Sequence, residues 1–409
     1  MNGIMLGRSD NMHRQWRFDV KSYLVPRGNR LEVDLRSPVR FIRDEYPKCV
    51  CDGAPECMKG FPHLRKAHYM FGWDWGPRLP DLGIFRSVNL CGYDESRIKD
   101  VHILQHHSDG RVVLEVRVDT ETPHDTEEEQ YVVILTDPNG HRSEYGGSPR
   151  EITIQNPELW WPNGYGAQPL YEIEVGLMRK GVLRDAVKKR IGLRTMTVDT
   201  AQDELGRRFT HVVNGVHIFA MGANYIPQDS ILGRNSCERT KALLSQCREC
   251  HFNLIRVWGG GYYPDDYFYD LCDEMGLIVW QDLMFACGIY PLNTAFEENI
   301  SEEIRQNVKR IRHHPCLGLW CGNNEIEMCI ERGDWFRNQR QKADYLYINE
   351  YRIPKILEEL DPQTFYWPSS PSSEGGFDNP NDENRGDGHY WEVWHGGVPF
   401  PEFRKHYFR

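Results

Sequence analysis

The stretch LGLWCGNNEIE, Leu317 to Glu327, decides how the chain folds. A short apolar run from Leu317 to Trp320 stops at Cys321-Gly322 and gives way to two amides and a carboxylate. A run this short, bounded by a glycine, reads as a strand buried on both faces, as in a parallel sheet. The polar groups beyond its end are costly to bury unless something engages them. Immediately upstream, FEENISEEIRQNVKRIRHHP has acids first, bases last and Pro315 as a stop, the charge order a helix dipole favours. Helix then strand is thus the local unit.

Working outward, the unit repeats from about residue 199. HIFAMGANY is strand-like, and NSCERTKALLSQCRECH is a helix capped by Asn235 or Ser236 with Glu238 in its first turn. FNLIRVWGG is a buried strand. PDDYFYDLCDEMG is a helix with Pro264 near its start and Gly276 at its end. LIVWQDL is the next strand. After LGLWCGNNE come the helix EYRIPKILEELDP, the strand TFYWPSS and a sixth strand end at GDGHYWEVW. Alternating β and α predicts parallel strands with helical crossovers, arranged as a (β/α)8 barrel or as an open doubly wound sheet. VWGGGYYPDD follows a strand but lacks the G-x-G-x-x-G spacing of a nucleotide site.

The upstream chain is different. Residues 94 to about 198 alternate in the β manner, as in Val112, Leu114, Val116 and Val118, then Tyr171, Ile173, Val175 and Leu177, with TDPNG as a turn. This predicts an immunoglobulin-like β-sandwich. Residues 1–93 mix short strand-like runs, notably NRLEVDLRSP with Leu31, Val33 and Leu35, with long loops. The expected architecture is therefore multi-domain β and α/β: a partial jelly-roll-like β-domain (1–93), an immunoglobulin-like sandwich (94–198) and the N-terminal part of a (β/α)8 TIM barrel (199–409).

Composition narrows the function. The 409 residues carry 49 Lys and Arg against 60 Asp and Glu, a net charge of −11 that disfavours a nucleic-acid partner. No run approaches the roughly 18 apolar residues of a membrane span. The opening MNGIMLGRSD lacks the apolar core of a signal peptide but runs directly into WRFDVKSYL as if inside a domain, which leaves the location open with a cytoplasmic one favoured. The 12 cysteines are too sparse for a disulfide scaffold. Cys49, Cys51 and Cys57 in CVCDGAPEC fit no strong zinc spacing and read as reduced loop cysteines; no metal or cofactor is expected. The 12 Trp and 20 Tyr suit a site that grips sugars.

In a barrel the strand ends converge on one mouth. Here they are Asn224 and Tyr225, Arg256 and Trp258, Asp282, Asn324 and Glu325, Ser369 and Ser370, then His389, Tyr390 and Trp391. Carboxylates, an amide, an Arg and several Trp around one pocket suit a glycosidase: indole faces stack on the sugar, polar groups fix its hydroxyls, and a carboxylic acid protonates the leaving oxygen. Glu325 is the candidate acid. Glu327 falls on the following turn.

With GNNE quoted, a family resemblance emerges. The chain resembles the β-mannosidases of glycoside hydrolase family 2 along nearly its whole length. FGWDWGPRLPDLGIFR is similar to a loop of the family's N-terminal sugar-binding domain, and NPELWWPNGYGAQPLYEIEV to the end of its sandwich. RIGLRTMTVD resembles the passage into the barrel. RVWGGGYY, WQDLMFACGIYP, WCGNNEIE and GDGHYWEVWHGG resemble successive barrel strand ends. GWDWGP sets the β-mannosidase type apart from β-galactosidases and β-glucuronidases.

The resemblance implies retaining hydrolysis of terminal β-mannosides, with Glu325 as acid/base. It implies substrate contacts from Trp73, Asp74, Trp258, Asp282, Asn324, Trp335, Tyr390 and Trp391. The alternatives are another exo-β-glycosidase of the family or a non-catalytic, vestigial carbohydrate-binding protein. The family's nucleophile, a Glu in an SEFG-like or SEYG-like motif, does not occur; the Ser-Glu-Gly at Ser373–Gly375 lies in a Gly- and Ser-rich loop. The chain thus resembles an internal piece with about six of the eight barrel strands, expected to be unstable and inactive alone.

Overall fold

The alternating runs of the middle region become seven antiparallel strands, and the uninterrupted apolar runs further on become a parallel sheet. A computed structural model describes residues 1–93, 95–122 and 129–406; the expected boundary at residue 94 lies outside them.

Residues 1–93 differ from expectation. They contain helix α1 (Pro38–Glu45), capped by Ser37, with short turns and isolated bridges, and no strand. Leu31, Val33 and Leu35 stand about half exposed. Alternation needs a neighbouring strand to pair with and a second layer to cover its apolar face, and nothing in this segment supplies either. The segment instead drapes over the parallel sheet. Arg65 and Glu303 form a fully enclosed bidentate pair, with contacts at 2.6 and 2.9 Å. Asn11 adds a third bond to the same carboxylate at 2.8 Å, and the guanidinium lies 4.2 Å from the Phe285 ring.

The sandwich follows the predicted alternation. Its strands are β1 (Arg97–Ser108), β2 (Arg111–Glu121), β3 (Glu129–Thr136), β4 (Arg142–Tyr145), β5 (Glu151–Gln155), β6 (Tyr171–Arg179) and β7 (Val182–Ile191). They pair in the orders β1-β2-β5 and β4-β3-β6-β7. Val112, Leu114 and Val116 from one sheet meet Ile173, Val175 and Leu177 from the other in a core of their own, the packing a two-sheet sandwich requires.

A short antiparallel section follows: β8 (Met196–Asp199), the two-residue strands β9 (Gln202–Asp203) and β10 (Gly206–Arg207), β11 (Thr210–Val213) and β12 (Val216–Ile218). Then comes the parallel sheet: β13 (Gly222–Tyr225), β14 (Leu254–Val257), β15 (Ile278–Asp282), β16 (Leu317–Cys321) and β17 (Phe365–Trp367). The helices between them are α2 (Cys237–Glu249), α3 (Asp266–Met275), α4 (Thr294–Ile311), α5 (Ile326–Arg332), α6 (Gln339–Leu346) and α7 (Ile353–Leu360). Strand order follows the chain, β13-β14-β15-β16-β17, without the reversal that marks a doubly wound sheet.

The expected signals hold locally. Ser236 caps α2, Gly276 ends α3 with φ of 72°, and Asn293 caps α4. A π-helical segment, Tyr347–Arg352, joins α6 to α7 just ahead of Pro354, whose missing N–H removes one ordinary helical bond. Strands β15 and β16 are buried at every position. Truncating a core residue such as Leu319 to alanine costs about 2–5 kcal/mol. The sixth strand end expected at GDGHYWEVW is instead a turn-rich segment, tied back by a bridge between Ser372 and Asp387.

Candidate active site

Beyond β16 the backbone is sewn to both neighbours. Asn324 N donates to Phe285 O at 3.0 Å and Cys287 N to Asn324 O at 3.0 Å. On the other side Glu325 N donates to Ser370 O at 2.8 Å and Ser370 N to Asn323 O at 2.9 Å. Gly322 is required here, because a Cβ would sit 2.2 Å from Pro368 O. Glu325 follows in the left-handed region, φ 63°, at the start of α5, a conformation worth about 1–3 kcal/mol of strain that only over-determined surroundings hold. Asn323 is wholly buried and bonded to Asn349, Pro368 O and Ser369. It locks the turn, while Asn324 and Glu325 face the site.

Arg256, at the end of β14, donates to both oxygens of Asp282 at 3.2 and 2.9 Å and to Asn324 Oδ1 at 2.9 Å. Asp282 also accepts from the Trp280 indole at 3.0 Å and Gly259 N at 3.0 Å. It is fully enclosed, with four donors. The expected sugar contact from Asp282 therefore needs correction: its carboxylate holds Arg256, and Arg256 with Asn324 presents the polar surface. A charged residue inside the apolar run FNLIRVW was the sequence signal for Arg256.

Glu325 Oε1 accepts from His389 Nδ1 at 2.8 Å and from the Trp391 indole at 3.2 Å. Oε2 lies 3.4 Å from the Cys287 thiol. Burial pushes this carboxyl upward, but the His389 hydrogen bond and charge, helped by Trp391 and Cys287, more than offset it and hold it at about 2. Two residues on, Glu327 goes the other way. Burial, reinforced by Glu350 and Asp387, raises it to about 7 against the bonds from Ser372 Oγ and Phe377 N. One glutamate is therefore held as a carboxylate beside His389 and Trp391, and the other, buried behind it, takes up a proton as pH falls through about 7.

Cys287 bridges Asn324 and Glu325, its Sγ lying 3.2 Å from Asn324 Nδ2 as well as 3.4 Å from Glu325 Oε2. Burial first, then Glu325, raises this thiol well above its usual range, so it is a donor and not a thiolate. Sequence reasoning passed over it within WQDLMFACGIYP, where nothing marks it apart from the other cysteines.

The first segment contributes aromatic walls. Trp73 meets Trp258 edge-on, with centroids 4.6 Å apart, and Trp75 meets the same ring at 5.8 Å. Asp74 sits exposed at the tip of the turn between them, closed by the Trp73–Gly76 bridge. Trp73 and Trp335 both pack against the cluster that contains Cys287. Tyr390 turns elsewhere, against Phe403 at 5.3 Å and His406 at 4.8 Å. The structure thus brings Glu325, Asn324, Arg256, His389 and Trp391 together, sets Cys287 against Asn324 and Glu325, places Trp73 and Trp335 on the apolar cluster that contains Cys287, and leaves Tyr390 out of that group.

Residues 1–86 match the glycosyl hydrolase 2 galactose-binding domain-like family, and residues 96–194 match the glycosyl hydrolases family 2. Residues 1–86 and 96–194 are thus family 2 glycoside hydrolase domains. It is 35% identical, over 97% of its length, to β-mannosidase B of Emericella nidulans and, likewise, to that of Aspergillus oryzae. A crystal structure of a β-D-mannosidase from Dictyoglomus thermophilum superposes on 99% of the chain with a TM-score of 0.90 and 36% identity. A β-glucuronidase from Parabacteroides merdae covers 66% of the chain at TM-score 0.54 and 17% identity, a likeness of fold alone. The chain spans about half the length of these mannosidases, 49% and 50%.

Proposed function

We propose that this chain carries the acid/base side of a retaining exo-β-mannosidase and that β13–β17 are consecutive strands of a (β/α)8 barrel. The observation that carries the reading is Glu325, fixed at the end of a buried parallel strand beside Asn324 and Arg256, with the Trp391 indole on its carboxylate. In this reading the sugar stacks on indole faces, Arg256 and Asn324 bind its hydroxyls, and Glu325 protonates the glycosidic oxygen and later deprotonates water.

Double displacement needs a second carboxyl about 5–5.5 Å from the first. Asp282 is committed to Arg256, and Asp387 to Ser370, Ser372 and Trp367. The nucleophile is therefore assigned to polypeptide outside residues 1–409. A second carboxylate opposite Glu325 would raise its proton affinity, moving it from the carboxylate found here toward the acid the first step needs.

The test is a panel of nitrophenyl glycosides offered to the 409-residue chain and to a longer polypeptide that carries it. Turnover of the β-mannoside by the longer polypeptide, with none by the chain alone, is the expected result. Preference for a β-glucuronide or β-galactoside would overturn the substrate assignment. Turnover by the 409-residue chain, abolished by Glu325→Ala, would overturn the assignment of the nucleophile.

A further inference from the structure

Behind Glu325 a line of hydrogen bonds runs away from the mouth. His389 Nδ1 meets Glu325 Oε1 at 2.8 Å, and His389 Nε2 meets Ser370 Oγ at 3.0 Å. Ser370 Oγ meets Asp387 Oδ2 at 2.5 Å. Asp387 Oδ1 is fixed by the Trp367 indole at 2.6 Å and Ser372 N at 3.0 Å. His389 is itself clamped through its backbone, its N donating to Asn381 Oδ1 at 2.7 Å and its O accepting from Asn381 Nδ2 at 3.0 Å.

Counting hydrogens along this line shows which proton placement satisfies every contact when both carboxyl groups are ionised. Asp387 can only accept from Ser370, whose hydroxyl has a single hydrogen. That hydrogen is committed at the shorter contact, so Ser370 Oγ accepts from His389 Nε2–H. Glu325 as a carboxylate can only accept, so His389 Nδ1 also carries hydrogen. With both carboxyl groups ionised, the line gives each ring nitrogen an acceptor, Glu325 Oε1 for Nδ1 and Ser370 Oγ for Nε2. The charge that opposes protonation of both is Arg256, whose Nη1 stands 3.5 Å from His389 Nε2. That contact is at the outer limit of a hydrogen bond, and Arg256 is already paired with Asp282. The remaining neighbours of Glu325, the Trp391 indole and the Cys287 thiol, are neutral donors.

We propose that Asp387, Ser370 and His389 form a proton store for Glu325, with His389 holding the proton that Glu325 delivers. The inference rests on the reading of Glu325 as acid/base. The proton passes from His389 Nδ1 to Glu325 and on to the leaving oxygen. This leaves a neutral imidazole whose Nε2–H still binds Ser370, while Ser370 still donates to Asp387. When water enters in the second step, its proton returns to Glu325 and then to Nδ1, so the cycle is neutral in protons and electrons. His389, Ser370 and Asp387 are positioning residues, since they act through Glu325.

Nitrogen-15 NMR of the folded chain, labelled at histidine, reads the proton placement directly; His389→Gln assigns the signals by deleting them. Two protonated ring nitrogens at neutral pH are expected, with one proton lost in Asp387→Asn and in Ser370→Ala. A singly protonated His389 in the unsubstituted chain would overturn the proposal. In an active longer polypeptide, Asp387→Asn should move the basic limb of the kcat/KM profile to lower pH by about one unit, the scale of losing one nearby charge. The loss of kcat should be larger for poor leaving groups than for nitrophenol, with KM little changed. An unmoved limb would also overturn the proposal. If the longer polypeptide hydrolyses no mannoside, the functional reading fails by itself, and the NMR result still decides where the proton lies.

Discussion

At the N-terminal ends of β15, β16 and β17 buried charge is tied to the backbone; at their C-terminal ends it is tied to other side chains. At the lower end Asp273 accepts from Cys316 N at 3.0 Å and faces His314 Nδ1 at 2.6 Å. Arg194 donates to Pro315 O and Leu317 O, and Arg312 to Leu360 O and Asp100. Arg194 and the Arg312–Asp100 pair join the sandwich to the sheet, and the bonds that end on main-chain groups cannot swing away. At the upper end Arg256, Asp282, Asn324, Glu325 and His389 bond chiefly to one another, and Trp391 is 46% exposed. A sugar can displace such partners one at a time. The lower end is built as cement and the upper end as a site.

The largest effect that would break this contrast is catalytic. In an active longer polypeptide, Glu325→Gln should slow hydrolysis of poorly activated mannosides by ~10²–10⁴-fold and slow activated phenyl mannosides less. Leaving-group dependence of kcat is the measurement, and an equal loss on both kinds of substrate would remove Glu325 from the acid role.

Next comes stability at the lower end. Asp273→Ala strands a buried His314 and the Cys316 N–H, and should cost about 3–5 kcal/mol, read as a lowered urea midpoint. An unchanged midpoint would remove Asp273 from the cement of the lower end.

The paired glutamates sharpen the contrast through pH. Glu327 has a folded value of about 7 against an ordinary 4.5. Its neutral form is the one the fold favours, so its contribution is complete below 4.5 and is lost as pH rises to 7, about 3 kcal/mol in all. Glu325, held at about 2, has the opposite sign: its contribution is present above 4.5 and is lost as pH falls toward 2. Urea titrations across pH 3–8 should show Glu327→Gln flattening the neutral side and Glu325→Gln flattening the acid side.

The smallest effect concerns the first segment. Asp74→Ala should lower kcat/KM on the order of tenfold, or about 1.4 kcal/mol, with an unchanged urea midpoint. A change in midpoint without a change in turnover would make the GWDWG turn a packing device.

Much of this was legible in the residues because the determining physics is local. Uninterrupted apolar runs gave β14, β15 and β16, alternation gave the sandwich, capping residues gave α2 and α3, and charge order with Pro315 gave α4. Asn324 and Glu325 were legible because their cost at a strand end demands an explanation. What stayed hidden depends on distant partners. Leu31, Val33 and Leu35 alternate like a strand but have no neighbour to pair with. Asp282 looked like a ligand until Arg256, Trp280 and Gly259 were seen to surround it. Cys287 and Asp387 matter only through groups that the fold carries to them, and Tyr390 turns away because Phe403 and His406 offer it a better surface.

The backbone link between the first segment and Cys287 also sets a timetable. Ala54 N bonds to Cys287 O, and Ile289 N to Asp52 O, so the loop that seats the thiol beside Glu325 waits for partners made more than two hundred residues later. At roughly 5–20 residues per second of synthesis, that wait is on the order of ten seconds to a minute. Throughout it the first segment has no sheet to cover, and this wall of the pocket is made well before the strands on which it is seated.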